Sequence, residues 1–314
     1  MTTAMAQQRA SWVTMGAGLA ATVALVAVAA VVQRAAGPDQ LTPLGAVALG
    51  VVEGLTEYLP VSSTGHLLVT GRVLGLGGTP TQDQAMQAYA ICIQAGAIAA
   101  VVVLYRRRLG QLAAGLMGRD EAGRRLLVAL ISAFVPTVVL ALALQDLVRQ
   151  HLFGAGPIAV AWIVGGIAIL ALPAARRARP GAVAITELRA TQAAVIGLAQ
   201  VLSFWPGTSR SLVTILAALA VGLTLAAAVE FSFLLGLATL GSATVFEAMQ
   251  NGDVLIETFG VVTPLLGLAV AFLSAVAAVR WMVGYLQHHG LELFGWYRIG
   301  IGVIALAAVA AGIL

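Results

Sequence analysis

Two stretches of this sequence carry polar groups where their neighbours are almost all apolar. The first reads Glu53-Gly54-Leu55-Thr56-Glu57-Tyr58-Leu59-Pro60-Val61-Ser62-Ser63-Thr64-Gly65-His66. Glu53 and Glu57 are four residues apart, so a helix puts both carboxylates on one face. On a soluble helix such a pair would be a solvated face. In an apolar segment each charge costs at least about 2.5–3.5 kcal/mol on insertion scales, so the pair is expected to face a cavity and to do chemistry there. Pro60 should end this helix. Ser62, Ser63 or Thr64 can cap the next one, whose free backbone N–H groups would suit a phosphate. His66 follows Ser63 by one helical turn and is expected to reach the Ser63 hydroxyl as its base. The plainer readings are a cap for any one Ser and a hydrogen bond between helices for the His.

The second stretch is Trp205-Pro206-Gly207-Thr208-Ser209-Arg210-Ser211, with Thr214 one turn on. Arg210 is flanked by apolar residues and needs an anion. Its planar fork suits a phosphate bidentately; the alternative is an ion pair with Glu53, Glu57 or Glu230. Ser209, Ser211 and Thr214 add hydroxyl donors at a second helix start. Gathered in one cavity, these groups favour a polyanion, except for the two carboxylates. A divalent cation, Mg²⁺ or Ca²⁺, held by Glu53 and Glu57 would remove that conflict and polarise a phosphoryl group. The metal follows from charge balance and not from a ligand motif.

The elements that must position these residues are membrane helices. The chain has 314 residues, 60% hydrophobic and 10% charged, with mean hydropathy +0.98. A soluble domain carries about 25% charged residues, so this chain cannot cover a water-exposed surface. The net charge of +4 comes with no lysine at all, which excludes P-loop and Schiff-base chemistry and does not argue for nucleic acid. Cys92 is alone, so no disulfide framework exists. Apolar spans read at 15–32, 88–104, 126–144, 157–173, 226–246, 259–279 and 293–314, each near the length of about 20 residues that crosses a bilayer. Segments 42–70 and 191–223 are apolar but broken by the two polar stretches. They read as re-entrant hairpins of two half-helices, since broken backbone at membrane depth must be buried in protein or line a wet cavity.

Arginine placement gives an orientation. Arg106, Arg107, Arg108, Arg119, Arg124 and Arg125 follow the second span, Arg176, Arg177, Arg179 and Arg189 follow the fourth, and Arg280 follows the sixth. Putting these inside leaves loops 145–156 and 247–258 outside and requires the two hairpins to enter from opposite faces. The fold class expected is therefore an all-α polytopic membrane protein with an inverted-topology repeat, two re-entrant hairpins and about seven spans. Gly54-Leu55-Thr56-Glu57 aligns with Gly197-Leu198-Ala199-Gln200 across the repeat. Residues 1–40 form an extension with an extra, uncleaved span, and 41–314 form the main domain, with halves at about 41–180 and 181–314.

From Gly50 to His66, and again over Pro206-Gly207-Thr208-Ser209-Arg210-Ser211, the chain resembles the undecaprenyl-pyrophosphate phosphatase (bacitracin-resistance) family. Glu230-Phe231-Ser232-Phe233-Leu234-Leu235 and Tyr297-Arg298-Ile299 are further similar stretches, and the likeness runs from about Leu41 to the C-terminus. The resemblance implies active-site positions at Glu53, Glu57, Ser63, His66 and Arg210, with Ser62, Ser209, Ser211 and Thr214 in support. It implies release of phosphate from a C55 isoprenoid diphosphate, in a bacterial inner (plasma) membrane, with the site towards the periplasmic or outer face. The partners are then the lipid substrate and the membrane, with a homodimer as a possible assembly and no nucleic acid. Two departures stand out. Leu212 replaces the glycine usual after the second motif, which would narrow that turn or shift Thr214, and the N-terminal span has no counterpart in the typical member. The competing reading is a transporter or flippase of an anionic lipid or small anion, which needs no Ser63 and His66 pair. A phosphatidic-acid phosphatase type-2 enzyme is rejected, since that family needs a Lys in its first motif and a His several residues after its Ser-Arg motif; this chain has no Lys, and no His follows Arg210 until His288.

Overall fold

The computed structural model describes residues 2–37, 40–76, 79–152, 154–172 and 182–312. They form helices throughout: α1 Thr2–Ala36, α2 Pro43–Thr56, α3 Ser63–Leu74, α4 Pro80–Leu104, α5 Arg106–Leu116, α6 Glu121–His151, α7 Ala155–Ala171, α8 Ala190–Gln200, α9 Arg210–Ala220, α10 Leu225–Phe259, α11 Val262–Leu286 and α12 Glu292–Ala310. Local chemistry sets many of these limits. Thr42 caps α2 by accepting from the Gly45 N–H at 3.1 Å, and Pro43 opens the helix. Thr79 and Pro80 do the same for α4. Gly75 ends α3 in the left-handed conformation, φ 76°.

Six stretches are long and apolar enough to cross a membrane: Met15–Ala36, Gln82–Leu104, Glu121–Leu144, Leu225–Gln250, Val262–Leu286 and Glu292–Ala310. The seventh expected span, at 157–173, is the 17-residue α7, about 26 Å long and shorter than the other six. The expected loops also differ. Most of 145–156 is the end of α6 and all of 247–258 belongs to α10. Polar residues end an apolar run without ending a helix, and neither stretch holds a proline before the helix stops. Arg106, Arg107 and Arg108 open α5 instead of lying in a loop, while Arg176, Arg177 and Arg179 lie outside the described residues.

Both interrupted segments are helix, break, helix, as expected. The breaks share a detail: Ser62 (φ 74°, ψ 98°) and Ser209 (φ 75°, ψ 115°) each precede a helix, and among the described residues they are the only non-glycine residues at positive φ. Such backbone costs of order 1–3 kcal/mol per residue and persists where the surroundings over-determine it.

Helix pairing follows the small residues. α2 lies on α11, where a Cβ on Gly54 would stand 2.6 Å from the Ser274 Cβ. α8 lies on α6, where a Cβ on Gly197 would strike the Ala133 backbone. Gly54 and Gly197, aligned in sequence, thus serve the same purpose in two helix pairs. α4 packs on α10 and α7 on α12, and α4 also meets α11 as α10 meets α6. Exchanging 41–180 for 181–314 converts this set of pairings into itself. α1 stands on one side, packed against α2 and α3.

Candidate active site

The turn between α2 and α3 and the turn before α9 meet in the interior. Glu53, within α2, and Glu57, at its C-cap, are four residues apart and both buried, 1% and 7% exposed. The Ser63 hydroxyl, at the first position of α3, donates to Glu57 Oε2 at 2.5 Å. From the other segment, Arg210 Nη2 donates to Glu57 Oε1 at 3.1 Å, and Nη1 donates to the Ser232 carbonyl at 2.9 Å. The Arg210 carbon Cζ stands 5.5 Å above the Tyr58 ring centre. Gly236 leaves the space this guanidinium fills, since a Cβ there would collide with it. One carboxylate therefore joins a hydroxyl from the first polar stretch to the arginine of the second.

The neighbouring hydroxyls form a buried chain. Ser211 Oγ donates to the Leu59 carbonyl at 3.0 Å and lies 3.0 Å from Ser209 Oγ. Ser209 Oγ accepts from the Leu212 N–H at 3.3 Å, capping α9. Thr214 Oγ1 pairs with Ser232 Oγ at 2.7 Å. Ser62 is buried at the break and Thr64 is exposed beside it. Leu212 does not narrow the turn: it is the third residue of α9 with its side chain in the core, 2% exposed, where helical backbone takes any side chain.

The expected contact between His66 and Ser63 is absent. His66 Nδ1 lies 2.7 Å from the Ser62 carbonyl and so carries the proton, and Nε2 lies 2.8 Å from the Tyr297 hydroxyl, which donates to it. The ring stacks on Tyr297 at 5.8 Å between centres. The hydrogen-bonded carboxylate on Ser63 is Glu57, supplied by the preceding helix. Arg210 likewise meets a carboxylate in the protein, and Glu230 pairs instead with Arg108 at 2.7 Å.

Glu53 Oε2 and Arg210 Nε are among the buried polar atoms here with no hydrogen-bond partner, as are Tyr58 Oη and Arg298 Nε. A buried carboxylate oxygen without a donor, beside a second carboxylate, is a hard-oxygen set that a divalent cation fits. Among the described residues no third His, Cys, Asp or Glu joins them, so water and substrate oxygens would complete the shell.

The profile of the family described as Bacitracin resistance protein BacA matches residues 46–304. This chain belongs to that family. It is 46% identical over 264 residues to an undecaprenyl-diphosphatase of Sorangium cellulosum, covering 83% of this chain and 84% of that one. It is 41% identical over 277 residues to undecaprenyl-diphosphatase 2 of Rhodospirillum rubrum, and 40% over 281 residues to undecaprenyl-diphosphatase 1 of Paraburkholderia xenovorans. Each comparison covers 88% of this chain and 98% of the relative. With six helices of spanning length and this membership, the chain is a multi-pass membrane protein. The family match begins at residue 46 and leaves α1 out.

In this BacA-family chain three residues from the further similar stretches, given no role by the motifs, join the site. Arg298, fully buried in α12, donates to the carbonyls of Pro60 at 3.2 Å, Ala161 at 2.9 Å and Gly207 at 2.9 Å. It ties the two breaks together through their backbone. An arginine inside an apolar span was the available signal. Tyr297, beside it, orients His66, and Ser232 receives Arg210 and Thr214; neither carries a charge that would mark it in sequence.

Proposed function

We propose that this chain hydrolyses a C55 isoprenoid diphosphate to the monophosphate and inorganic phosphate, returning the lipid carrier to cell-wall synthesis. One observation carries the chemistry: Ser63, Glu57 and Arg210 form a single hydrogen-bonded unit drawn from both polar stretches. The named activity of the relatives agrees with it. Phosphoryl transfer needs a nucleophile, a proton acceptor and a cation on the phosphoryl oxygens, and these three side chains supply them.

Ser63 Oγ attacks the terminal phosphorus while Glu57 accepts the hydroxyl proton. The bridging P–O bond breaks and the lipid monophosphate leaves, taking that proton. Water then attacks the phosphoserine, Glu57 takes its proton, and inorganic phosphate departs as Ser63 regains a proton. Arg210 holds the phosphoryl oxygens through the Nε that has no partner in the protein, stabilising charge as it develops. The N-terminal amides of α3 and α9 face the same turns and favour the anion. His66, fixed between Ser62 and Tyr297, positions the α3 turn. A divalent cation on Glu53 and Glu57 would offset their repulsion of the diphosphate and polarise it.

The two breaks, the paired roles of Gly54 and Gly197 and the exchangeable helix pairings support an inverted repeat with two re-entrant hairpins. In this reading residues 41–314 are the catalytic domain of a bacterial inner-membrane protein, and the site opens towards the outer face. The test is phosphate release by the detergent-purified protein from C55 and C15 diphosphates, with and without EDTA. Release from the C55 substrate, lost in EDTA, is expected. Transport of the lipid with no phosphate released would overturn the reading.

A further inference from the structure

A cavity of about 560 Å³ lies between α1 and the helices of the main domain. Its wall on the domain side includes Leu59 and Val61, which flank Pro60, and His66 and Tyr297, the hydrogen-bonded pair that braces the α3 turn. Its remaining lining is almost wholly apolar. The opposite wall is one face of α1, carrying Gly18, Thr22, Val23 and Val26 at the spacing of successive helical turns. At Gly18 a Cβ would meet nothing within 4 Å, so the space beside it is open. The cavity therefore touches the α3 turn through Val61 and His66 and α1 on its opposite side, next to the turn that carries Ser63.

We propose that α1 walls a binding site for the isoprenoid chain of the substrate, seating the units next to the diphosphate. This rests on the phosphatase reading above and adds an element that the family match does not cover. The chemistry of the wall decides the ligand class. An apolar passage whose polar pair, His66 and Tyr297, stands beside the turn that carries Ser63 fits a hydrocarbon chain carrying an anionic head, and it offers no cation along its length for a soluble phosphate ester. Its volume lies in the range of about 300–1,000 Å³ that holds a drug-sized molecule. A C55 chain is much larger, so only its head-proximal units enter and the rest stays in the bilayer. A C15 chain has little length beyond the cavity, and its binding depends more heavily on this wall.

The test uses the full chain in detergent with farnesyl diphosphate, undecaprenyl diphosphate and a diazirine-bearing farnesyl diphosphate. Gly18→Trp should fill the cavity from the α1 side and raise KM at least about tenfold for farnesyl diphosphate, less for the C55 substrate, with kcat nearly unchanged. Val28→Trp, on the exposed opposite face of α1, should leave both constants and the thermal midpoint as in wild type. The photoprobe should label α1, be displaced by farnesyl diphosphate but not by phosphatidylglycerol, and fail to label α1 in Gly18→Trp. An unchanged KM in Gly18→Trp, or labelling that spares α1, would overturn the proposal. So would displacement by phosphatidylglycerol, which would assign the cavity to bulk lipid. The labelling stands apart from turnover: a wild type that releases no phosphate sinks the phosphatase reading, and the probe still reports whether α1 lines the chain.

Discussion

Glu57 is the residue on which the site turns, because it accepts from both Ser63 and Arg210. Replacing it with Gln keeps the shape and removes the proton acceptor and the ion pair together. Glu57→Gln should lower kcat by about 10²–10⁴, the usual weight of a general base, as read by phosphate release. That Glu53 and Glu57 face the interior together is legible in sequence, because charge at membrane depth is costly and four-residue spacing shares a helix face. The partner of Ser63 is not. Helical spacing alone allowed His66 to reach it, but Tyr297, 231 positions away, and the Ser62 carbonyl take both ring nitrogens. Arg298 donates to backbone carbonyls of both breaks. Arg298→Met would strip donors from the Pro60, Ala161 and Gly207 carbonyls, each worth about 1–3 kcal/mol when left buried and unpaired. A clear drop in the thermal midpoint in detergent should accompany any loss of activity.

Elements place these residues through close helix approach. α2 can hold two carboxylates inward only because Gly50 and Gly54 let it lie against the α11 backbone. Gly54→Leu should cost about 1–3 kcal/mol or more through overpacking, and scanning calorimetry or a thermal melt would read it. Gly197→Leu should do the same to α8 on α6. The two interrupted helices were legible in sequence, since Pro60 and Pro206-Gly207 break apolar runs that polar groups already mark. The lengths of α6 and α10 were not: both continue past the end of their apolar stretch, and hydropathy records where a bilayer would end, not where hydrogen bonding stops. The strained Ser62 and Ser209 have no signal in sequence, because serine is an ordinary residue at a helix start.

At the scale of the whole molecule, the proposed inverted repeat brings one polar turn from each half to a shared interior point. That proposal puts the arginine-rich stretches on one side of the membrane. Single-cysteine variants made in a Cys92→Ser background test this by labelling in intact cells. A cysteine at position 107 should stay unlabelled by an impermeant reagent and one at position 253 should react; the reverse pattern would invert the orientation. The central claim is that Ser63, Glu57 and Arg210 together transfer the phosphoryl group. The most direct measurement is the initial rate of phosphate release from undecaprenyl diphosphate by purified wild type, Ser63→Ala and Arg210→Ala, with folding checked by thermal melt. The account predicts release by wild type, a loss of at least about 10³-fold in each folded variant, and a phosphorylated Ser63 in quenched wild-type protein. Near wild-type release by folded Ser63→Ala or Arg210→Ala would contradict it.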